Sequence, residues 1–120
     1  MYQFKEITLA HDQVARQVLI IEFSDPQKRI LGEFLMNDAS LLDYRVLDQL
    51  DRVLSGETER EESAGNRCSL EISREKTVVE DLFSEMYADF PTLPAYEMDT
   101  KKLRDLIIIW KEKVATFEKH

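Results

Sequence analysis

Residues 67–73, RCSLEIS, decide the fold class of this 120-residue chain. Cys68, Leu70 and Ile72 fall on one side of a strand and Ser69, Glu71 and Ser73 on the other. Such alternation marks a half-buried strand of an antiparallel sheet. Gly65-Asn66 ahead of it is turn chemistry. Residues 77–83, TVVEDLF, read as its neighbour across the tight Arg74-Glu75-Lys76 connection, or as the start of a short helix. Further on the period changes. After Asp99-Thr100, a capping pair, Leu103, Leu106, Ile107, Trp110, Val114 and Phe117 recur at helical spacing, and Ile108 and Ile109 widen the stripe. Between these segments, residues 84–98 hold Pro91 and Pro94 and read as a loop, with 95–98 adding an edge strand.

Upstream, residues 2–8 read as a short strand and 17–23, QVLIIEF, as a buried one. Ser24-Asp25-Pro26 then turns the chain, and 29–36, RILGEFLM, reads as the return strand of a hairpin, with Gly32 permitting a bulge or a close backbone approach. Leu42, Val46, Leu47, Leu50, Val53 and Leu54 predict an amphipathic helix over 39–54, capped by Asp38 or Ser40 and stopped at Gly56. Residues 57–63, ETEREES, are a polar connector or edge strand. The expectation is a single α+β domain over 1–120. It has an antiparallel β-sheet of about four to six strands with two amphipathic helices on one face, in the order β-β-β-α-β-β-α.

The formal net charge of −8 is unevenly spread. Residues 38–62 carry −5 and residues 80–99 carry −6, the latter without one Lys or Arg, while 63–79 and 100–120 are mildly basic. Fields of that sign repel nucleic acid and anionic membrane and attract basic partners. The longest apolar runs, 18–21 and 106–110, are too short to span a bilayer, and 1–16 lacks the apolar core of a signal peptide, so a cytoplasmic protein is expected.

Catalytic equipment is sparse. The histidines are His11, in a polar connector, and His120, at the end of the chain; neither sits beside a nucleophile. One cysteine, Cys68, on the inward face of a strand, supports neither a disulfide nor a zinc site. Gly32, Gly56 and Gly65 are too far apart for a phosphate loop. No catalytic residue, metal site or cofactor is therefore expected. The carboxylates leave a metal-dependent hydrolase as an alternative, and an acidic adaptor or self-associating protein as another. The candidate partner-binding residues are Glu57, Glu59, Glu61 and Glu62 of the first block and Glu80, Asp81, Glu85, Tyr87 and Asp89 of the second. Phe83, Met86, Tyr87, Phe90 and Tyr96, interleaved with acids, are the composition of a protein interface aimed at a basic surface.

Two stretches, LSGETEREESAGNRCSLEISREKTVVEDLF at 54–83 and YEMDTKKLRDLIIIW at 96–110, resemble small bacterial immunity proteins, the antidotes of polymorphic or contact-dependent-inhibition toxins. Gly65, Asn66, Cys68, Leu70, Glu71, Ile72, Thr77, Thr100, Leu103 and Trp110 carry the likeness, over about half of the chain. Lys101-Lys102 departs from it, placing positive charge where the helix dipole disfavours it. The resemblance implies a non-enzymatic inhibitor whose partner is a cognate toxin, such as a basic nuclease domain. Homodimerisation is left open, and binding to nucleic acid or membrane is not expected.

Overall fold

The computed structural model of the chain describes residues 1–83 and 92–119. Strands β1 (Tyr2–His11) and β2 (Val14–Phe23) form a long antiparallel hairpin in register from Tyr2↔Phe23 to His11↔Val14. Its two-residue turn is Asp12-Gln13, at φ +49° and +70°. Two positive φ values match the twist of the flanking strands. No Gly or Asn announces this turn, so the sequence shows two short strands rather than one hairpin.

Residues 29–36 are not the return strand of a hairpin but helix α1 (Arg29–Asn37). Ser24-Asp25-Pro26 is the start signal of that helix rather than a hairpin turn. Asp25 Oδ1 accepts from Gln27 N–H (2.9 Å), and Pro26 opens a single 3-10 turn, Pro26–Lys28, that runs into α1. The apolar residues also pair at helical spacing, Ile30 with Phe34 and Leu31 with Leu35, and all four are buried. Gly32 keeps its expected use, close approach. A Cβ built there would stand 3.6 Å from the Ile21 carbonyl and from the Phe23 ring, so α1 rests directly on β2.

Helix α2 (Leu41–Ser55) ends at Gly56, whose φ of +85° is the left-handed stop that glycine tolerates. At its start Leu42, Asp43 and Tyr44 are left-handed too, at φ +51°, +57° and +60°. Leu42 therefore leaves the stripe expected of it and is 74% exposed. Neither expected cap acts as one: Ser40 makes no capping bond, and the Asp38 carboxylate is engaged elsewhere, on the turn before the next strand.

The second sheet has the order β3-β4-β5-β6, every pair antiparallel: β3 (Arg60–Ala64), β4 (Cys68–Ser73), β5 (Lys76–Asp81) and β6 (Tyr96–Asp99). The polar connector is thus an edge strand, and residues 76–81 are strand, not helix. Helix α3 (Thr100–Glu118) follows β6 directly. Asp99 Oδ2 accepts from Lys102 N–H (3.1 Å) and supplies negative charge at the helix start, next to Lys101 and Lys102. Thr100 is fully buried; its hydroxyl donates to Ser73 O (2.6 Å) and accepts from Thr77 Oγ1 (2.8 Å), tying α3 to β4 and β5.

The class is α+β. Among the described residues its elements are two antiparallel sheets, of two and four strands, and the helices α1, α2 and α3, rather than one sheet with two helices. All three helices contact the inner face of the four-stranded sheet, and α1 also touches β2. Leu19, Ile21, Phe34, Leu50, Ile72, Val79, Leu103, Ile107 and Trp110 meet in one core, with Phe4 of the hairpin stacked on Trp110 at 6.2 Å. Cys68 belongs to it as expected, its thiol pushed up to about 12, first by burial and then by the carboxylates of Asp38 and Asp81. Among the described residues no helix is long and apolar enough to cross a membrane.

Candidate functional site: the open face of the four-stranded sheet

Successive side chains of a strand point to opposite faces, so a sheet packed by helices on one side leaves the other side bare. Register determines what lies there. Glu62 of β3 stands opposite Glu71 of β4, Glu71 opposite Val78 of β5, and Val78 opposite Glu97 of β6. This row crosses all four strands, about 14 Å at the usual strand spacing. The next row is Ala64, Ser69 and Glu80; on the other side Arg60 stands opposite Ser73 and Lys76 opposite Asp99, with the Ser73 hydroxyl donating to Lys76 O (2.7 Å). Five acidic side chains share the face with two basic ones. Glu62, Glu71, Glu80 and Glu97 are exposed, and Val78, half-buried, is the apolar centre they surround. A depression of about 320 Å³ lies on this face, lined by residues including Arg60, Glu71, Lys76, Val78 and Glu97.

Like charges directly opposite each other destabilise a sheet. Arg60 eases the Glu62↔Glu71 pair from the β4 side, its guanidinium reaching Glu71 at 2.9 Å. A row of carboxylates around a valine is unfavourable for the free protein, and contact with a cationic surface relieves it.

The two acidic blocks, remote in sequence, thus meet on one face through Glu62, Glu80 and Glu97. Period two also divides them. Glu61 and Asp81, both expected at a contact surface, point inward. Glu61 turns toward α2, where the Arg52 guanidinium (2.8 Å) holds its carboxyl below the usual range and is itself raised by the same bond. The Asp81 side chain is 0% exposed. It accepts from Phe83 N–H (2.9 Å), Leu93 N–H (3.0 Å) and Arg67 Nη2 (3.0 Å), while the Arg67 guanidinium lies 4.2 Å from the centre of the Phe83 ring. Asp81 is a tie between β5 and the segment that returns at Leu93, not a surface group. Glu57 and Glu59 are exposed beyond the end of α2, off the strands. Of the aromatics, Tyr96 faces inward, opposite Val79. Glu85, Met86, Tyr87, Asp89 and Phe90, like His120, lie outside the described residues. Glu71 and Glu97 are the additions. The alternation of 67–73 already sends Glu71 outward; Glu97 needs the β5–β6 register.

Asp81 makes stability pH-dependent. Burial by itself would raise its carboxyl, but the N–H groups of Leu93 and Phe83, with Arg67, outweigh burial and hold it below the ordinary value. A depressed folded value contributes stability that is fully present above the unfolded value of about 3.9 and is lost as pH falls through the lower folded value. Asp81→Asn, which keeps the shape and one oxygen but loses the charge, should cost about 1.5–3 kcal/mol at pH 7 in urea titrations. The gap to the wild type should shrink as pH falls below the unfolded value, because the unfolded carboxylate then takes up a proton that the folded one resists. A gap unchanged between pH 7 and pH 3 would rule this origin out.

Among the described residues no three His, Cys, Asp or Glu side chains gather as a metal site. No family model matches the chain, and no solved structure matches it. A Bacillus cereus protein named "Immunity protein" is 32% identical to it over 96 residues, which cover 78% of each chain.

Proposed function

The chain belongs to the immunity-protein family, and we propose that it binds a cognate bacterial toxin and neutralises it by covering the toxin's working surface with the open face of the four-stranded sheet. The toxin is a nuclease of a polymorphic or contact-dependent-inhibition system, and the encounter takes place in the cytoplasm. A nuclease must present positive charge to hold a phosphate backbone. A rigid acidic face that fits over that charge excludes the substrate without any chemistry of its own, so the inhibitor needs neither a catalytic group nor a cofactor. The observation that carries the reading is the convergence of Glu62, Glu71, Glu80 and Glu97 around Val78 on one exposed surface. The same charge disfavours nucleic acid and anionic membrane as partners. Glu57 and Glu59, exposed beyond α2, and Glu85, Tyr87 and Asp89 remain candidates for the rim of the contact.

The toxin expected is the C-terminal domain of a large protein encoded next to this one. Mixed with that domain at low salt, the chain should co-purify in a stoichiometric complex and suppress nuclease activity in proportion to the complex formed. A domain that elutes separately and cuts nucleic acid undiminished would sink the proposal.

A further inference from the structure

The hairpin extends past the body it is anchored to. Near its base Leu19 and Ile21 are buried and Phe4 stacks on Trp110. Farther out Thr8, Leu9 and Ala10 of β1 and Val14, Ala15, Arg16 and Gln17 of β2 are all exposed. Consecutive exposed residues mean that both faces of the ribbon are bare, with Leu9 at 52% and Val14 at 67% exposure. The radius of gyration, 15.1 Å, exceeds the roughly 13.6 Å of a compact chain of this length. A two-stranded ribbon in water is marginal without a third strand.

A seat for that strand exists beside β2. A groove of about 480 Å³ runs between β2 and α1, lined by Ile21, Glu22, Phe23, Gly32, Glu33 and Met36 among others. The free polar groups along β2 follow from its pairing. Ser24 N–H donates to Met1 O (3.0 Å), and hydrogen-bonded pairs alternate along an antiparallel ladder. Residues 15, 17, 19, 21 and 23 therefore turn their N–H and C=O groups away from β1.

We propose that a second copy of this chain fills the seat, β2 pairing antiparallel with β2 of the partner copy about Leu19. A two-fold axis through Leu19 places 17 opposite 21 and 15 opposite 23, so every outward-facing residue meets another. It sets the bare arm, residues 14–18, of each copy beside 20–24 of the other. Val18 lies against Ile20, both half-buried in the single chain. Ala15 and Gln17, a methyl group and a flexible amide, face the groove beside α1. Arg16 lies opposite Glu22, which already holds Lys5 of its own chain at 2.8 Å, giving an alternating row of charge. This complementarity selects a second copy over a basic toxin: the arm brings its own cation to a carboxylate in the seat, and the two-fold closes the assembly at two chains. The acidic face of each copy stays free.

Charge exchange tests the pairing without any toxin, so its outcome is independent of the proposed function. The wild type should sediment as a dimer. Arg16→Glu sets like charges against Glu22, and Glu22→Arg sets them against Arg16. Each variant alone should show a dimer dissociation constant raised about tenfold or more. Mixed in equal amounts, the two should recover the dimer, because every Arg then meets a Glu. Circular dichroism checks that both remain folded, since Glu22→Arg also removes the partner of Lys5. A wild type that stays monomeric at hundreds of micromolar overturns the proposal. So does a dimer indifferent to Arg16→Glu, or protection of the arm from hydrogen exchange only when toxin is bound.

Discussion

Asp38→Ala should be among the most damaging single substitutions in this protein, lowering the unfolding free energy by about 3–5 kcal/mol in urea titrations. Asp38 follows α1 and is buried, yet its carboxylate serves a turn 28 to 30 residues away. Oδ1 accepts from the backbone N–H of Asn66 (2.8 Å) and Arg67 (3.1 Å), and Oδ2 from Arg67 (3.1 Å) and Cys68 (2.7 Å). A hydrogen bond to a charged group contributes about 1.5–3 kcal/mol net, and the bonds are not additive when one acceptor serves several donors. Removing the carboxylate leaves three N–H groups around the start of β4 without their acceptor, which costs more than the lost attraction alone. Asp38→Asn retains the volume and one oxygen but turns an NH₂ toward donors, so an intermediate loss is expected. Gly65 gives a cross-check. A Cβ built there falls 2.5 Å from Asp38 Cγ, so Gly65→Ala should destabilise the wild type and do so less in an Asp38→Ala background. Additive losses would mean that the two residues do not share this space.

That junction also shows where the sequence stops being readable. Gly65-Asn66 announces a turn, and Asp38 looks like a helix cap, because a carboxylate before an apolar stripe usually is one. The residue instead crosses to the far turn, a pairing no local pattern encodes. Residues 67–73 and the stripe beginning at Leu103 are legible because one period fits each segment and the other does not. Residues 29–36 fit two. Read as a continuous apolar run they make a strand, and read at four-residue spacing they make the helix that Asp25-Pro26 starts. Burial of Ile30, Leu31, Phe34 and Leu35 against both β2 and the larger sheet decides for the helix.

The candidate site divides in the same way. Composition locates the acid, at 57–62 and 80–99, but adjacent acids in one strand must separate between faces. Glu61-Glu62 and Glu80-Asp81 are two such pairs, and in each one member faces the helices and the other faces out. Which member goes outward depends on register, which Cys68, Leu70 and Ile72 fix by insisting on the core. The inward acids survive there because Arg52 and Arg67 meet them. A composition count adds both members together as surface charge, whereas only half of that charge is available to a partner.

If this face is the toxin contact, reversing it should slow association by about a hundredfold to a thousandfold at low salt, since electrostatic steering separates fast from ordinary encounter by such factors. The variant is Glu62→Lys, Glu71→Lys, Glu80→Lys and Glu97→Lys together. Each side chain is exposed, so folding should change little; the Arg60–Glu71 pair, 59% and 50% exposed, contributes at most about 1 kcal/mol. Four reversals bring the formal net charge from −8 to zero, so net charge alone could mimic the effect. The control reverses Asp43, Asp48, Glu112 and Glu118, exposed on α2 and α3, to lysine, and also reaches zero. Stopped-flow binding then separates location from total charge. The sheet-face variant should lose most of its rate and much of its salt dependence, whereas the control keeps most of both. Near 1 M salt, where screening reaches only about 3 Å, the association rates should draw together, while any remaining difference in dissociation reports contacts that form at the face itself. Equal losses in the two variants would assign the attraction to the whole molecule and leave the sheet face without a role in recognition.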